Sequence, residues 1–397
     1  VRSTRLPGES GVRDRPPPTL KRGRMILTVT PNPSVDRTLE IDTYVRGAVI
    51  RIHNAMAHAG GKGVNVSRAL RNHGVQTVAV LPVGGAEGAQ LTALLGEHGI
   101  AAVTVPVAAV TRCNITTAEA DGTTTQLNVP GASLSEAEVA ALLRAVESQL
   151  RHHPKWLVAG GSLPQGTPTD FYVRLSVLAR RYGVPIAVDT SGEPLAVTAR
   201  AGAANLLKPN HHELAELLDR ELTTLGDVVD ATREVLSWGN DAALVTLGSY
   251  GALLVEPDRF WWAGGPPIVP RSTVGAGDST LAGFLFDDGA PEERLRRAVS
   301  WGSAAVALPG TTIPGPADIN AKGSWSSPNP TCPCPSPTCP RNSARKPRAA
   351  GHEQPWAAPW PPSPVAGSGG PGPAPRAPVR QRAARATPGR KPGIMSV

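Results

Sequence analysis

Residues 272–280 read STVGAGDST, a run of small residues carrying one carboxylate, Asp278, just ahead of the apolar stretch LAGFLF. A helix that starts near Gly277 leaves its first amide N–H groups without intrahelical partners, and Gly275, Ala276 and Gly277 have no bulky side chains to keep a ligand off them. Such a tip attracts an anion. Asp278, in the first turn, falls beside that anion as a candidate base, and the helix dipole there favours its ionised form. A plain helix cap after a turn is the competing reading of this nonapeptide taken alone.

Three other loops carry related chemistry. AGGKGVNVS (59–67) opens a helix but lacks the G-x4-G-K-[ST] order of a Walker loop. Lys62 is still a point charge suited to a phosphate, and Asn65 can meet a hydroxyl from the same helical turn. KPNHHE (208–213) sets Lys208 at a strand end ahead of Asn210 and Glu213, a pair on one face of a helix start that can orient water around Mg²⁺. His211 and His212 have no third soft ligand in view and read as solvated. VTLGSYGA (245–252) is a strand, a glycine turn and a strand, suited to backbone contact with a nucleotide. VGGAEGAQ (83–90) lacks the G-x-G-x-x-G order and has no acid near residue 105 to hold a ribose; it reads as a turn, and an NAD-linked oxidoreductase is the alternative it would support.

Short β-rich runs alternate with helical patterns between residues 25 and 320, which predicts a parallel sheet covered by helices. Strands are expected over 25–30, 77–82, 156–160, 185–189, 205–209, 242–247 and 250–256. Helices are expected over 63–73, 87–98, 135–150, 168–182, 211–219, 227–238, 278–287 and 291–307. Two segments break the alternation, 38–52 and 113–129, and both read as hairpins, the second turning at Asp121-Gly122. They predict a small β-layer outside the main sheet, a lid over its carboxyl edge. Its exposed strand edges favour pairing with a second copy.

Composition divides the 397 residues in three. Residues 1–24 carry 7 Lys/Arg against 2 acids and are read as a disordered extension before Met25, which is expected to be the functional start and opens the first strand-like run. Residues 321–397 hold 18 of the 41 prolines and 11 Lys/Arg against 1 acid, a composition that cannot bury enough apolar surface to fold and is read as disordered. The middle is left with 22 basic and 29 acidic residues, so the overall +8 belongs to the two ends and argues for no specific nucleic-acid partner. Three of the four cysteines lie in the last segment and Cys113 stands alone, which predicts no disulfide framework and a reducing, cytoplasmic setting. No apolar run approaches the ~20 residues that span a bilayer, so no membrane partner is expected.

Each loop signal is weak, but their order is specific. Asp36 after the first strand, the Gly-Gly-Lys-Gly loop, Arg112 on the lid, GSLP (161–164), KPNHHE, TLGSYG and TVGAGDS together resemble the PfkB carbohydrate kinases of the ribokinase-like superfamily, over residues 25 to about 318. TPNPSVDRTLEI, GGKGVNVSRAL, GSLPQG and PGTTIPGPADI look most like its 1-phosphofructokinase branch, with tagatose-6-phosphate kinases close by. The resemblance implies a three-layer α/β/α sandwich with a β-sheet lid, ATP and Mg²⁺, a sugar-phosphate substrate, and a homodimer formed through the lid. It implies Asp278 as the base and the Gly275, Ala276 and Gly277 amides as the anion hole. Asp36, Gly60, Gly61 and Asn65 would then hold the sugar, Lys62 and Arg112 its phosphate, with Ser162 nearby. ATP would lie against Lys208, Asn210 and Thr246, Leu247, Gly248, Ser249, Tyr250 and Gly251, and Glu213 would help place Mg²⁺ indirectly. The implied reaction is ATP-dependent conversion of fructose 1-phosphate to fructose 1,6-bisphosphate. Tagatose 6-phosphate or fructose 6-phosphate as acceptor, or a binding protein without turnover, are the alternatives. After Asp318 the chain departs from the family pattern.

Overall fold

A computed structural model of the chain describes residues 25–131, 133–265 and 268–319 and the backbone of Trp325–Ser326. Strand β1 (Ile26–Val29) lies between β4 (Thr77–Val83) and β8 (Trp156–Gly160) and pairs with both in parallel. All four of its residues are buried, as a strand covered on both faces requires. The sheet continues outward through β5 (Ala101–Pro106) on one side, and through β9 (Ile186–Asp189), β10 (Leu206–Leu207), β11 (Ala243–Thr246), β12 (Ala252–Val255) and β13 (Phe260–Gly264) on the other. From β5 to β11 every neighbour is parallel, because a helical crossover separates the strands. β11, β12 and β13 follow one another through short turns and pair antiparallel. The sheet is therefore mixed rather than parallel throughout.

Helix α8 (Ala276–Leu285) packs against both α1 (Lys62–Asn72) and α9 (Pro291–Val306). Between them and the sheet, Ile26, Leu70, Leu244, Leu254, Leu281, Phe284, Trp301 and Ile313 form a continuous core. Helices α3 (Glu136–Leu150), α4 (Phe171–Arg181), α5 (Gly192–Arg200), α6 (His211–Leu218) and α7 (Leu225–Ser237) pack in succession as a second layer. The capping box at Ser135 and Glu138 starts α3, and Thr224 with Asp227 starts α7.

A four-stranded sheet stands apart, in the order β3 (Asn54–Gly60), β2 (Ser34–Ile41), β6 (Arg112–Glu119), β7 (Thr124–Leu127). The expected lid is present, but its first hairpin is displaced. Its strands span 34–41 and 54–60, and the residues between them, placed in a 38–52 hairpin by the sequence, form an open loop. The second hairpin turns at Asp121-Gly122 as expected, where Asp121 Oδ1 accepts from the Thr123 amide at 2.8 Å and Gly122 takes φ 91°. Helix α2 (Gly85–Glu97) starts inside the VGGAEGAQ turn. Three elements were not legible in the sequence: β5, whose pattern is mostly half-exposed, β13, and α5, whose first turn holds Gly192 and Pro194 and so imitates a loop.

Strand β14 (Trp325–Ser326) pairs with β13, so two residues of the segment expected to be disordered carry a backbone ladder; the remainder of 321–397, like residues 1–24, lies outside the described residues. The chain divides into two units after Ala358, and the second, Pro359–Val397, falls wholly outside them too. Among the described residues no helix is long and apolar enough to cross a membrane.

Helix α9 approaches α8 at Gly302, where a Cβ would collide with Thr280 Oγ1 and lie 3.3 Å from the Ala276 carbonyl. Gly302→Val is expected to force the two helices apart and cost about 1–3 kcal/mol in a denaturant titration. Gly96→Ala, at an α2 position with open space around it, should be neutral or stabilising by up to about 1 kcal/mol in the same experiment.

Candidate active site

The tip of α8 is bare. Gly275 is its N-cap in the left-handed conformation, φ 75°, which an L side chain rarely adopts, and no side chain caps the helix. The Ala276 amide makes a long 3.4 Å turn bond to the Thr273 carbonyl, while among the described residues no protein acceptor meets the amides of Gly275 or Gly277. Asp278, 6% exposed, lies in this first turn, and its Oδ2 accepts from Asn65 Nδ2 at 2.9 Å. Burial, and then the nearby charge of Asp189, push its pKa up to about 6; Lys62, the Asn65 hydrogen bond and Lys208 pull the other way. A base poised there is ionised at neutral pH and basic enough to take a proton.

Asp189 ends β9 with a side chain 2% exposed. Its Oδ1 lies 2.5 Å from Lys62 Nζ and its Oδ2 3.1 Å from Lys208 Nζ. Burial pushes this carboxyl up, but Lys208 and Lys62 more than offset it and hold the group ionised, below the usual aspartate value. Burial would likewise discharge Lys62, yet Asp189 and Asp278 hold its ammonium above the ordinary lysine pKa. Lys208 Nζ lies 3.2 Å from the position a Cβ on Gly277 would take, so one ammonium sits at the bare helix tip.

The lid supplies the facing wall. Asp36, on β2, accepts at Oδ1 from Ser34 Oγ at 2.7 Å and from Asn114 Nδ2 at 2.9 Å. Gly60 lies so close that a Cβ there would strike the Asp36 carboxylate. Gly61 takes φ 107° as the N-cap of α1, with Thr30 Cγ2 only 2.6 Å from its missing Cβ. Arg112 donates from Nη1 to the Val129 carbonyl at 2.8 Å and from Nη2 to the Asn32 carbonyl at 2.9 Å, while its buried Nε has no hydrogen-bond partner among the described residues. Asn32 in turn donates to Ser162 Oγ at 3.0 Å. Behind the lid root, Arg68 Nη1 reaches the carbonyls of Ala59 and Thr311, each at 3.2 Å.

On the other side, Asn210 and Glu213 form a capping box. Asn210 Oδ1 accepts from the Glu213 amide and Glu213 Oε2 from the Asn210 amide, both at 2.8 Å. His211 is half-buried, its ring tilted 38° against that of His212 with centroids 3.9 Å apart, so it is less solvated than expected from sequence. Thr246, Leu247, Gly248, Ser249, Tyr250 and Gly251 form the end of β11 and a short 3₁₀ turn. Leu247 is buried, so it presents only backbone to a ligand.

The structure thus brings Asp278, Asn65, Lys62 and Lys208 into one cluster and joins Arg112 to Ser162 through Asn32. Lys62 does not reach out alone toward a phosphate; its ammonium is tied to Asp189. Sequence reasoning passed over Asp189, Asn32, Asn114 and Arg68. A signal existed for Asp189, a carboxylate at the carboxyl end of a parallel strand, where open α/β sheets bind ligands. Asn32, Asn114 and Arg68 act through contacts distant in sequence and gave none.

The raised pKa carries a stability consequence with a definite sign. In folded protein the Asp278 charge is penalised above pH 6, a penalty that fades as pH falls toward the ordinary value of 3.8. Asp278→Asn should therefore melt above the parent at pH 8, and the gap should close between pH 6 and pH 4 in thermal scans. Asn65→Leu, which removes the bond holding the pKa down, should move the carboxyl titration upward in ¹³C NMR.

Residues 29–318 match the model of the pfkB family carbohydrate kinases. A 1-phosphofructokinase of Haloferax volcanii is 38% identical over 299 residues, covering 74% of this chain and 95% of that protein. The ATP-dependent 6-phosphofructokinase isozyme 2 of Escherichia coli K12 is 36% identical over 296 residues, covering 72% and 94%. The crystal structure of phosphofructokinase-2 from Escherichia coli in complex with potassium superposes with a TM-score of 0.69 at 34% identity, over 74% of this chain and 96% of that one. A buried carboxylate beside uncapped amides, two lysines and a β-lid, in a chain matched over almost all of its described length, place this protein in the pfkB family of carbohydrate kinases.

Proposed function

We propose that the protein transfers the γ-phosphoryl group of ATP to the 6-hydroxyl of fructose 1-phosphate, giving fructose 1,6-bisphosphate. The observation that carries this reading is Asp278, poised near pH 6 in the first turn of a helix where, among the described residues, the amides of Gly275 and Gly277 meet no protein acceptor. Phosphoryl transfer asks for an in-line acceptor, a group to take its proton and donors for the charge on the transferred oxygens, and needs no covalent nucleophile. Asp278 deprotonates the hydroxyl. The amides of Gly275, Ala276 and Gly277 receive the phosphoryl oxygens.

Asp36, with Gly60 and Gly61 beside it, and Asn65 hold sugar hydroxyls. Arg112, fixed by two carbonyls and with Ser162 nearby, receives the phosphate already on the sugar. ATP lies against Lys208, Asn210 and the 246–251 turn. Among the described residues no group of three or more His, Cys, Asp or Glu side chains could cage a metal. That fits Mg²⁺ held mainly by phosphates and water, with Glu213 contributing indirectly. Bound there, the ion would neutralise phosphate charge. The lid excludes water and pairs two copies through its exposed apolar residues, among them Val45, Val49, Ile52 and Leu127. A cytoplasmic location follows from the substrates.

Four of the relatives at 32–38% identity are named 1-phosphofructokinase, which favours fructose 1-phosphate as acceptor. The 36% identity to an isozyme-2 6-phosphofructokinase keeps fructose 6-phosphate as the second reading. A coupled assay of ADP release over fructose 1-phosphate, fructose 6-phosphate and tagatose 6-phosphate decides between them. The highest kcat/KM is expected with fructose 1-phosphate, and Asp278→Asn should lower kcat at least about 10²-fold. No turnover with any of the three, or an undiminished Asp278→Asn variant, would refute the assignment.

A further inference from the structure

We propose that Lys62 serves the phosphoryl group in transfer, held there by Asp189 as a positioning residue, and does not grip the phosphate that the sugar brings. This rests on the kinase reading above and goes beyond it by dividing the cations of the site between its two phosphates.

The division follows from what each cation is anchored to. Lys62 opens α1, and its ammonium lies on Asp189 Oδ1 at the end of β9; Lys208 lies on the other oxygen of the same carboxylate. Lys208 also borders Gly277, whose amide meets no protein acceptor among the described residues, and Lys62 feels the charge of Asp278 in the same helix tip. One nearly inaccessible carboxylate therefore gathers two ammonium groups beside the candidate base. Arg112 belongs to a different set. It stands on the lid strand β6, tied to the carbonyls of Asn32 and Val129, with Ser162 reached through Asn32. A ketose bisphosphate carries its phosphates at opposite ends of the carbon chain, and the site offers two cation sets on separate elements.

The chemistry balances without a change at Lys62. A hydroxyl oxygen of the sugar forms the new bond to phosphorus, and its proton passes to Asp278. The bond from phosphorus to the bridging oxygen of ADP breaks, and its electron pair leaves with ADP. Lys62 keeps its proton throughout and supplies charge where the transferred oxygens pass. Asp189 offsets half of the charge of the two ammonium groups before phosphate arrives, and ionised Asp278 offsets the rest, so the cluster can stay charged.

The test separates binding from turnover in the full chain. Fructose 1-phosphate is titrated calorimetrically into the nucleotide-free protein, and kcat is measured with saturating ATP. Lys62→Met is expected to bind the sugar phosphate within about threefold of the parent while kcat falls about 10²-fold, the scale of losing one donor to a transition-state anion. Arg112→Met should show the reverse, binding weakened at least tenfold. Asp189→Asn, a variant that keeps both lysines, should also lower kcat without weakening the sugar phosphate. Binding weakened tenfold or more in Lys62→Met or Asp189→Asn, or an unchanged kcat in either, would overturn the proposal. A parent protein that neither binds nor phosphorylates a fructose phosphate would instead defeat the kinase reading on which it stands.

Discussion

Charge balance around a buried carboxylate pair governs this molecule. Two carboxylates, Asp189 and Asp278, and two ammonium groups, Lys62 and Lys208, meet at the carboxyl edge of the main sheet, and both carboxylates are almost inaccessible. An isolated buried charge is costly, so each ion persists only because the others are held close. The balance is uneven by construction. Asp189 takes both lysines and stays ionised, whereas Asp278 is left with one amide hydrogen bond from Asn65 and is pushed toward its protonated form. The same four groups thus yield one permanent anchor and one group that can exchange a proton.

That arrangement requires elements far apart in sequence to end at one place. Asp189 comes from β9, Lys208 from the residue after β10, Lys62 and Asn65 from the first turn of α1, and Asp278 from the first turn of α8. Parallel pairing brings the carboxyl ends of β9 and β10 to one edge, and α1, which follows the lid strand β3, and α8, which follows β13, begin beside them. The packing of α1 on α8 then brings Asn65 to Asp278 across 213 residues of chain. Arg68, one turn further along α1, ties the lid root at Ala59 to the loop at Thr311, so the wall that closes the site is braced by the helix that bears Lys62.

The lid bears on a separate requirement of the proposed reaction. Phosphoryl transfer competes with hydrolysis, and a sheet edge open to solvent cannot exclude water. Strands β2, β3, β6 and β7 stand outside the main sheet and carry Asp36 and Arg112 on their inner side of the site, with Asn114 fixing Asp36 through a neighbouring strand. The cost is a surface with several exposed apolar residues, Val49 at 94% among them, which is the surface expected to meet a second copy.

Much of this was legible without coordinates. Alternating β-rich and helical runs determined the layered α/β class, and the bare GAG before Asp278 determined a helix tip without a side-chain cap, because local backbone geometry depends on residues close in sequence. The Asp121-Gly122 turn was readable for the same reason. Tertiary structure alone decided which cation serves which partner: the attachment of Lys62 and Lys208 to Asp189, and the Asn32 link between Arg112 and Ser162. The identity of a charged residue sets what it can bind, but its pKa and its partner depend on the groups that folding brings within a few ångströms, and those groups lie on strands and helices that the chain order does not pair.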